Sequence, residues 1–553
     1  MFEAPTLQTL ADFNLNIALP AIWLASSVMI LLLADLFLPE ERKHWTPILA
    51  LSFISISFVM TLFNFSPEET SAFGGMFVAD GFTGFLNIVT LGTAFIAILL
   101  STDYLKKANI HHGEFYTLLL LSTSGVMFMV GANSLLVVFI ALEVLSIPLY
   151  ILAAFRATDA DHISKKSALV SEGDIDPQIL KSEESGMKYF ILGAFSSAFL
   201  VYGIALIYGA TGTFLLDEIS VAVSDLVVGN TSTSFLLLAG AALTVVGLGF
   251  KVAAVPFHMW TPDVYEGSPT PVTAYMSVAA KIGGFAALFR LMVAGLAGFS
   301  IGDSNAAAWV MAIQVIAAAT LILGNFMALA QSNVKRMLAY SSIAHAGYIL
   351  MAVAAVGVSG NEGIGSAAGQ GIAVYMLAYM FTNLGAFAVV QALENEDGTG
   401  TEITDFDGLF NSKPVIAIAM TIFMLSLVGI PLTGGFVGKW LVFGAAVQSN
   451  LIILAVIGVL TSVVSAFYYM RVVVGMFLND GEGSETPGAT MPVTLAIYAS
   501  MAGVLITGII LPIVSRTTTV GGGGTTTTAT TSSGGAGGFD FRYVEQRVAF
   551  VDG

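Results

Sequence analysis

Residues 250–291, FKVAAVPFHMWTPDVYEGSPTPVTAYMSVAAKIGGFAALFRL, decide how the chain is read. The stretch is apolar at both ends, yet Lys251, Lys281 and Arg290 sit inside its runs of Val, Ala, Phe, Leu and Met. Pro256 lacks a backbone donor and its ring clashes with the preceding turn, so a helix carrying Lys251 is expected to break there. A second apolar run begins near 269 and is long enough to cross a bilayer, which takes ~20 residues. Lys281 lies near its middle, about 18 Å from the start at helical rise. A lysine at that depth costs about 2.5–3.5 kcal/mol even on the mild insertion scale. Such a charge requires an anionic partner or a water-filled cavity.

The rest of the 553 residues agree with this reading. Charged residues make up 10%, against ~25% in a soluble domain. Mean hydropathy is +0.86. Too few charges exist to cover a soluble surface of this size, so the chain is expected to be an all-α integral membrane protein. The apolar runs are long, unlike the alternation of a membrane β-barrel. Spans are expected near 17–37, 46–65, 82–101, 114–131, 133–155, 187–209, 234–260, 269–297, 307–329, 336–358, 367–391, 413–449, 452–478 and 491–515, about fourteen transmembrane helices in all. The first lacks a basic flank and a small-residue cleavage site, and is expected to be retained. Residues 156–187, 210–233 and 392–412 are the longer hydrophilic stretches. From 516 onward a Gly/Thr-rich tail has the composition of a flexible linker.

Net charge is −17 with no basic patch, which excludes nucleic-acid binding as a main function. The absence of cysteine excludes disulfides, thiolate-held iron–sulfur clusters and a cysteine nucleophile. Thr433 stands where a phosphate loop needs its first glycine and Trp440 where it needs Ser or Thr. The sequon Asn230-Thr231-Ser232 is too short a pattern to carry weight. No motif for a nucleotide, flavin or metal is present, so no cofactor is expected on this chain.

Arg42, Lys43, Lys106, Lys107, Arg156, Lys165, Lys166, Lys181, Lys335, Arg336 and Lys413 fall in alternate connections. The intervening ones at 66–81, 210–233, 298–306 and 359–366 hold no Lys or Arg. The basic set is therefore cytoplasmic, and an even number of spans puts both termini on the outer side.

Inside the spans the polar residues are few. Glu143 lies about 15 Å into its span and Lys251 about 25 Å into its own, which enters from the opposite side. Spans 5, 7 and 8 thus bring Glu143, Lys251 and Lys281 to similar depths. Lys439 follows Gly429, Pro431, Gly434 and Gly435 in a run too long for one crossing, so that helix too is expected to break. Broken helices in membranes line cavities and mark ion sites. Ser341, His345 and Tyr348 share one helical face, and His258 closes the PFHMW stretch. Burial favours a neutral amine and a nearby carboxylate favours the ammonium form, so Glu143, Lys251, Lys281 and Lys439 form the inventory of a proton path. Bland readings stand beside it. Arg290, near the outer end of its span, fits a snorkelling side chain or a structural pair. Lys188 is either a relay group or a lysine reaching the cytoplasmic interface. His345 is either a relay or a hydrogen-bonded helix contact.

Residues 250–291 resemble the signature of the antiporter-like membrane subunits of respiratory complex I, the NADH-quinone oxidoreductase. The run KYFILGAFSSAFLVYGIALIYGATG (188–212) resembles the subunit N branch among them. The resemblance implies two inverted five-helix repeats, spans 4–8 and 9–13, with spans 7 and 12 broken. It divides the chain into 1–110, 111–300, 301–480, 481–515 and the tail 516–553. It implies a proton relay of Glu143, Lys188, Lys251, His258, Lys281, His345 and Lys439, with Glu143 paired to Lys251 and Lys439 on the exit side. It implies a bacterial inner membrane, other complex I membrane subunits as partners, including the sister antiporter-like subunits, and NADH, FMN, Fe–S clusters and quinone in those partners. A multisubunit Na⁺/H⁺ antiporter subunit, a hydrogenase-type membrane subunit and an inert structural subunit are the rival readings.

Overall fold

The computed structural model describes residues 13–158, 177–227, 231–296, 299, 309–358, 362–395, 398–480 and 489–520. Residues 159–176 of the polar loop, Asn230 of the sequon and the tail from 521 lie outside them. Among the described residues there are eighteen α-helices and one two-stranded hairpin. Eleven helices are long and apolar enough to cross a membrane, and Glu114–Val130, Phe235–Lys251 and Pro414–Val428 are shorter apolar helices.

The order is α1 (Leu19–Phe37), α2 (Trp45–Phe63), β1 (Thr70–Ala72), β2 (Phe77–Ala79), α3 (Gly81–Lys107), α4 (Glu114–Val130) and α5 (Leu135–Ala153). Next come α6 (Pro177–Thr211), α7 (Leu216–Val227), α8 (Thr231–Lys251), the short α9 (Thr261–Gly267) and α10 (Thr270–Arg290). The remainder is α11 (Val310–Leu329), α12 (Val334–Val356), α13 (Glu362–Leu393), α14 (Leu409–Ser412), α15 (Pro414–Val428), α16 (Gly434–Gln448), α17 (Ile452–Leu478) and α18 (Met491–Val520).

Burial separates inner from outer helices. Every residue of α10 is buried, as is every residue of α12 from Val334 to Ala355 except Arg336. In α1, α2 and α17, by contrast, Met29, Leu36, Phe63, Ile453, Val463 and Phe467 are exposed. An apolar exterior around a polar-bearing interior is the arrangement a lipid solvent favours, because unpaired polar groups cannot face it. Hydroxyls in the core close onto their own helix, as Thr90 does on Leu86 O and Thr382 on Ala378 O.

Two hydrophilic stretches are more ordered than their polarity indicates. Residues 177–187 extend α6 at its start, because Pro177 suits a first helical position and Gln178, Leu180, Lys181, Glu183 and Glu184 are good helix formers. Within 210–233, α7 buries Leu216, Ile219 and Val223 on one stripe. The 66–81 connection contains the β1–β2 hairpin, with Thr70 opposite Ala79.

Both expected breaks are present. Helix α8 ends at Lys251, nine residues before α9, and Ala253 takes a left-handed φ of +62°. Its freed groups find partners: Phe250 O accepts Trp260 Nε1 at 3.0 Å, and Val255 N donates to Thr320 Oγ1 at 2.9 Å. Between α15 and α16, Gly429 caps the first half at φ +91°. Gly435 opens the second half so close to Ser426 that a Cβ would lie 1.9 Å from its carbonyl oxygen.

Arg290 forms a structural pair. Its Nη2 reaches Asp80 Oδ2 at 2.9 Å and Thr83 Oγ1 at 2.7 Å, and its Nε donates to Val130 O at 2.9 Å. Asp80 also caps α3 by accepting Thr83 N at 2.7 Å. The pair ties the end of α10 to α3 and α4. Arg290→Met is expected to destabilise the protein by about 3–5 kcal/mol, because it strands a buried carboxylate. Arg290→Met with Asp80→Leu should recover much of that, and thermal unfolding of the extracted protein checks it.

Candidate functional site

The candidate residues resolve into three buried amine sites, one histidine between two of them, and one partly exposed ion network. Lys251 is the last residue of α8, and its Nζ donates to Ser146 Oγ at 2.8 Å and Tyr189 OH at 3.2 Å. The Tyr189 ring also lies beneath it, 5.4 Å from Nζ to the centroid. Glu143 sits one turn before Ser146 on α5 and accepts Ser197 Oγ from α6 at 2.5 Å. The expected Glu143–Lys251 ion pair is therefore not closed. Ser146 occupies the amine, and Ser197 occupies the carboxylate. The two sides meet at a pocket of about 210 Å³ lined by Lys251, Ser146, Ser196, Ser197 and Tyr150.

Lys281 is 2% exposed. It donates to the main-chain carbonyl of Ser342 on α12, and its Nζ stands 5.8 Å from the Tyr379 ring centroid. Lys251 packs its stem against Gly284, one turn further along the same helix as Lys281.

Lys439 lies in α16, just past the second break. Its Nζ donates to Leu427 O at 3.0 Å, Val428 O at 2.8 Å and Ser462 Oγ at 2.9 Å. The two carbonyls are the unpaired end of α15, where the helix dipole is negative and a cation is stabilised. A Cβ at Gly429 would fall 2.9 Å from Lys439 Cδ, so the glycine that turns the chain also makes room for the lysine. The Tyr348 ring faces Nζ at 4.8 Å.

His345 joins the second and third sites. Its Nδ1 shares a hydrogen bond with Tyr375 OH at 2.5 Å and its Nε2 one with Tyr469 OH at 3.3 Å, the donor in each depending on tautomer. Tyr469 OH is bonded in turn to Ser341 Oγ. The His345 ring lies 5.1 Å from that of Tyr379 and 5.8 Å from that of Tyr348. Tyr379 faces Lys281 and Tyr348 faces Lys439, so two aromatic rings and one imidazole stand in the gap between the amines. A pocket of about 210 Å³ lined by His345, Tyr375, Tyr379, Thr382 and Ser426 opens beside the α15–α16 break.

Two candidates stand apart. His258 is half-buried in the α8–α9 interruption, beside the backbone of Pro256. Lys188 is 39% exposed and pairs with Glu184 at 2.6 Å and Asp263 at 2.7 Å. Asp263 and Glu266 of α9 also hold Arg336 at 2.7 and 3.0 Å, and Glu266 holds Lys181 at 3.0 Å. Lys188 therefore belongs to a partly exposed clamp on α9. Ser146, Ser197, Tyr189, Tyr375, Tyr379 and Tyr469 were not singled out from the sequence. Only the i, i+4 spacing of Tyr375 and Tyr379 could have pointed to a face.

A family model described as NADH:quinone oxidoreductase/Mrp antiporter, TM, matches residues 176–465. That span holds every candidate except Glu143. NADH-quinone oxidoreductase subunit N of Trichlorobacter lovleyi is 42% identical over 504 residues, covering 91% of this chain and 96% of the relative. This chain belongs to the NADH-quinone oxidoreductase subunit N family. A chain of respiratory complex I from Thermus thermophilus superposes with a TM-score of 0.69 at 30% identity, covering 89% of this chain and 98% of that one. A chain of the Mrp complex from Dietzia shares the fold at a TM-score of 0.71 but only 20% identity, over 92% and 96%. Among the described residues no group of three or more His, Asp or Glu side chains could hold a metal ion.

The clamp on α9 carries a pH dependence. Burial opposes ionisation of Asp263 and Glu266, yet hydrogen bonds from Lys188, Lys181 and Arg336 outweigh it and hold both carboxyls below their ordinary values. Such a group contributes stability above its unfolded value and loses it as pH falls through the folded one. Asp263→Asn should lower the melting temperature at pH 7. The difference from wild type should narrow below about pH 4, as thermal-shift curves at several pH values would show.

Proposed function

We propose that this chain is a proton-translocating membrane subunit of an NADH:quinone oxidoreductase, moving H⁺ through Glu143, Lys251, Lys281, His345 and Lys439. The observation that carries the reading is the run from Lys281 past Tyr379, His345 and Tyr348 to Lys439, which ends on the bare carbonyls of a broken helix. Each group in that run can both take and release a proton, and a hydroxyl or imidazole does so by turning. Ser146, Ser197 and their shared pocket put Lys251 within a side-chain swing of Glu143, so closing and opening that pair would switch the amine between holding and releasing H⁺.

In this reading the hydrophobic part makes fourteen crossings, with inverted repeats over 111–300 and 301–480 each broken once. Residues 1–110 are the leading helices and 481–515 the last crossing. Both termini lie on the periplasmic side of a bacterial inner membrane, as the placement of Lys and Arg supports. NADH, FMN, Fe–S clusters and quinone belong to partner subunits, and the sister antiporter-like subunits are the lateral neighbours. The alternative of an Mrp-type Na⁺/H⁺ antiporter subunit shares the fold, but the subunit N relatives match at twice the identity of the Mrp neighbour.

In vesicles containing the assembled complex, Lys439→Ala should cut proton pumping by roughly tenfold or more, the scale of a lost acid–base group. Lys439→Arg should retain part of it, because it keeps the charge but gives up protons poorly. Lys251→Ala and Glu143→Ala should behave like Lys439→Ala. Normal pumping in all of these with normal assembly would remove the relay.

A further inference from the structure

The basic face of the protein holds a second cluster of buried charge that the relay above does not use. Glu394, just past the end of α13, is 3% exposed. Its carboxylate accepts the hydroxyl of Thr270, the first residue of α10, and lies 3.5 Å from Tyr104 OH. Lys107 Nζ donates to the main-chain carbonyl of Glu394, and Arg156 Nη1 donates to Tyr104 OH at 3.3 Å. Lys335 is also buried, its Nζ on Ser268 O at 2.9 Å. A pocket of about 260 Å³ is lined by Asp103, Tyr104, Lys107, Arg156, Gln391 and Glu394. It lies among the Lys and Arg residues of the expected cytoplasmic side.

A buried carboxylate is costly unless it is bonded or paired, and a purely structural helix end would be served as well by an amide. Two features give the charge a use. Glu394 borders the pocket, and it heads a polar seam leading inward. Helices α10 and α13 run antiparallel, and their polar residues meet in register. Thr270 meets Glu394, Ser277 accepts Asn383 Nδ2 at 2.5 Å, and Lys281 faces Tyr379. Thr270 and Lys281 are about 16 Å apart along the helix. These three contacts step from the pocket to the central amine along the α10–α13 interface.

We propose that Glu394 is the proton-accepting group at the inner mouth of the path to Lys281. The carboxylate binds H⁺ delivered from the pocket, and the proton then leaves along the α10–α13 seam to the amine, with no other bond made or broken. Lys107 and Arg156 border the same pocket, with Asp103 and Tyr104 as the other titratable groups lining it, and Lys335 is buried on Ser268 O nearby. This rests on the proton-translocation reading, and the experiment separates the two.

Inverted membrane vesicles carrying the intact complex would be assayed for NADH-driven proton uptake from pH 6 to 9, with Glu394→Gln, Glu394→Asp, Thr270→Val and Lys281→Met side by side. Glu394→Gln should assemble and pump several-fold more slowly, with the deficit growing at high pH, where H⁺ is scarce at the mouth. Glu394→Asp should restore most of the rate with a displaced pH profile, and Thr270→Val should show a smaller loss. If Glu394→Gln pumps like wild type at every pH while Lys281→Met does not, Glu394 is only structural and the proposal falls. If Lys281→Met also pumps normally, the translocation reading itself falls. Should Glu394→Gln fail to assemble, the aspartate variant decides: an unshifted profile overturns the proposal and a shifted one supports it.

Discussion

An ammonium group enclosed by hydrocarbon needs oxygen atoms around it, and regular helices have none to spare because their carbonyls are already bonded. The rest of the architecture follows from how the chain meets that need at Lys439. It stops α15 at Gly429, leaving the carbonyls of Leu427 and Val428 without helical donors, and restarts at Gly434 so that the lysine returns to exactly those atoms' vicinity. Ser426 Oγ accepts the backbone N–H of Gly435 at 3.1 Å, so the break supports its own second half. Glycine at 429 and 435 is required by a left-handed turn and a close backbone approach respectively.

The same need is met differently at the other two amines. Lys251 ends its helix and takes side-chain hydroxyls, whereas Lys281 sits within an unbroken helix and borrows a carbonyl from α12. Besides those main-chain carbonyls, the side chains bonded to the amines are hydroxyls, Ser146 and Tyr189 on Lys251 and Ser462 on Lys439, while Ser197 holds Glu143. Groups that both donate and accept can reverse direction by rotation, which a fixed carboxylate partner would resist. The tight, fully buried pair of Arg290 with Asp80 fastens the end of α10 to α3. Arg290, Lys188 and Arg336 are thus held by carboxylates that clamp helices, whereas Lys251, Lys281 and Lys439 are held by neutral oxygens.

Much of this was legible in the residues alone. Hydropathy located the apolar helices, Pro256 and the Gly429–Gly435 run announced both breaks, and the cost of burial singled out Lys251, Lys281 and Lys439. Polarity misled at 177–187 and in α7, because helices in contact with water or tucked against an inner wall need only one apolar stripe. It also left Lys188 open, since depth along a helix does not say what lies across from it, and Asp263 and Glu184 turned out to lie there.

Composition and spacing determined that this is a helical membrane protein, where its helices break and which amines are buried, because those depend on transfer energies and backbone sterics of the local chain. They could not determine partners. That Ser146 rather than Glu143 holds Lys251, that Tyr379, His345 and Tyr348 stand between Lys281 and Lys439, and that Glu394 meets Thr270 depend on which helices lie side by side. A hydrogen bond between residues a hundred or more positions apart is set by packing of whole helices, and no local pattern encodes it.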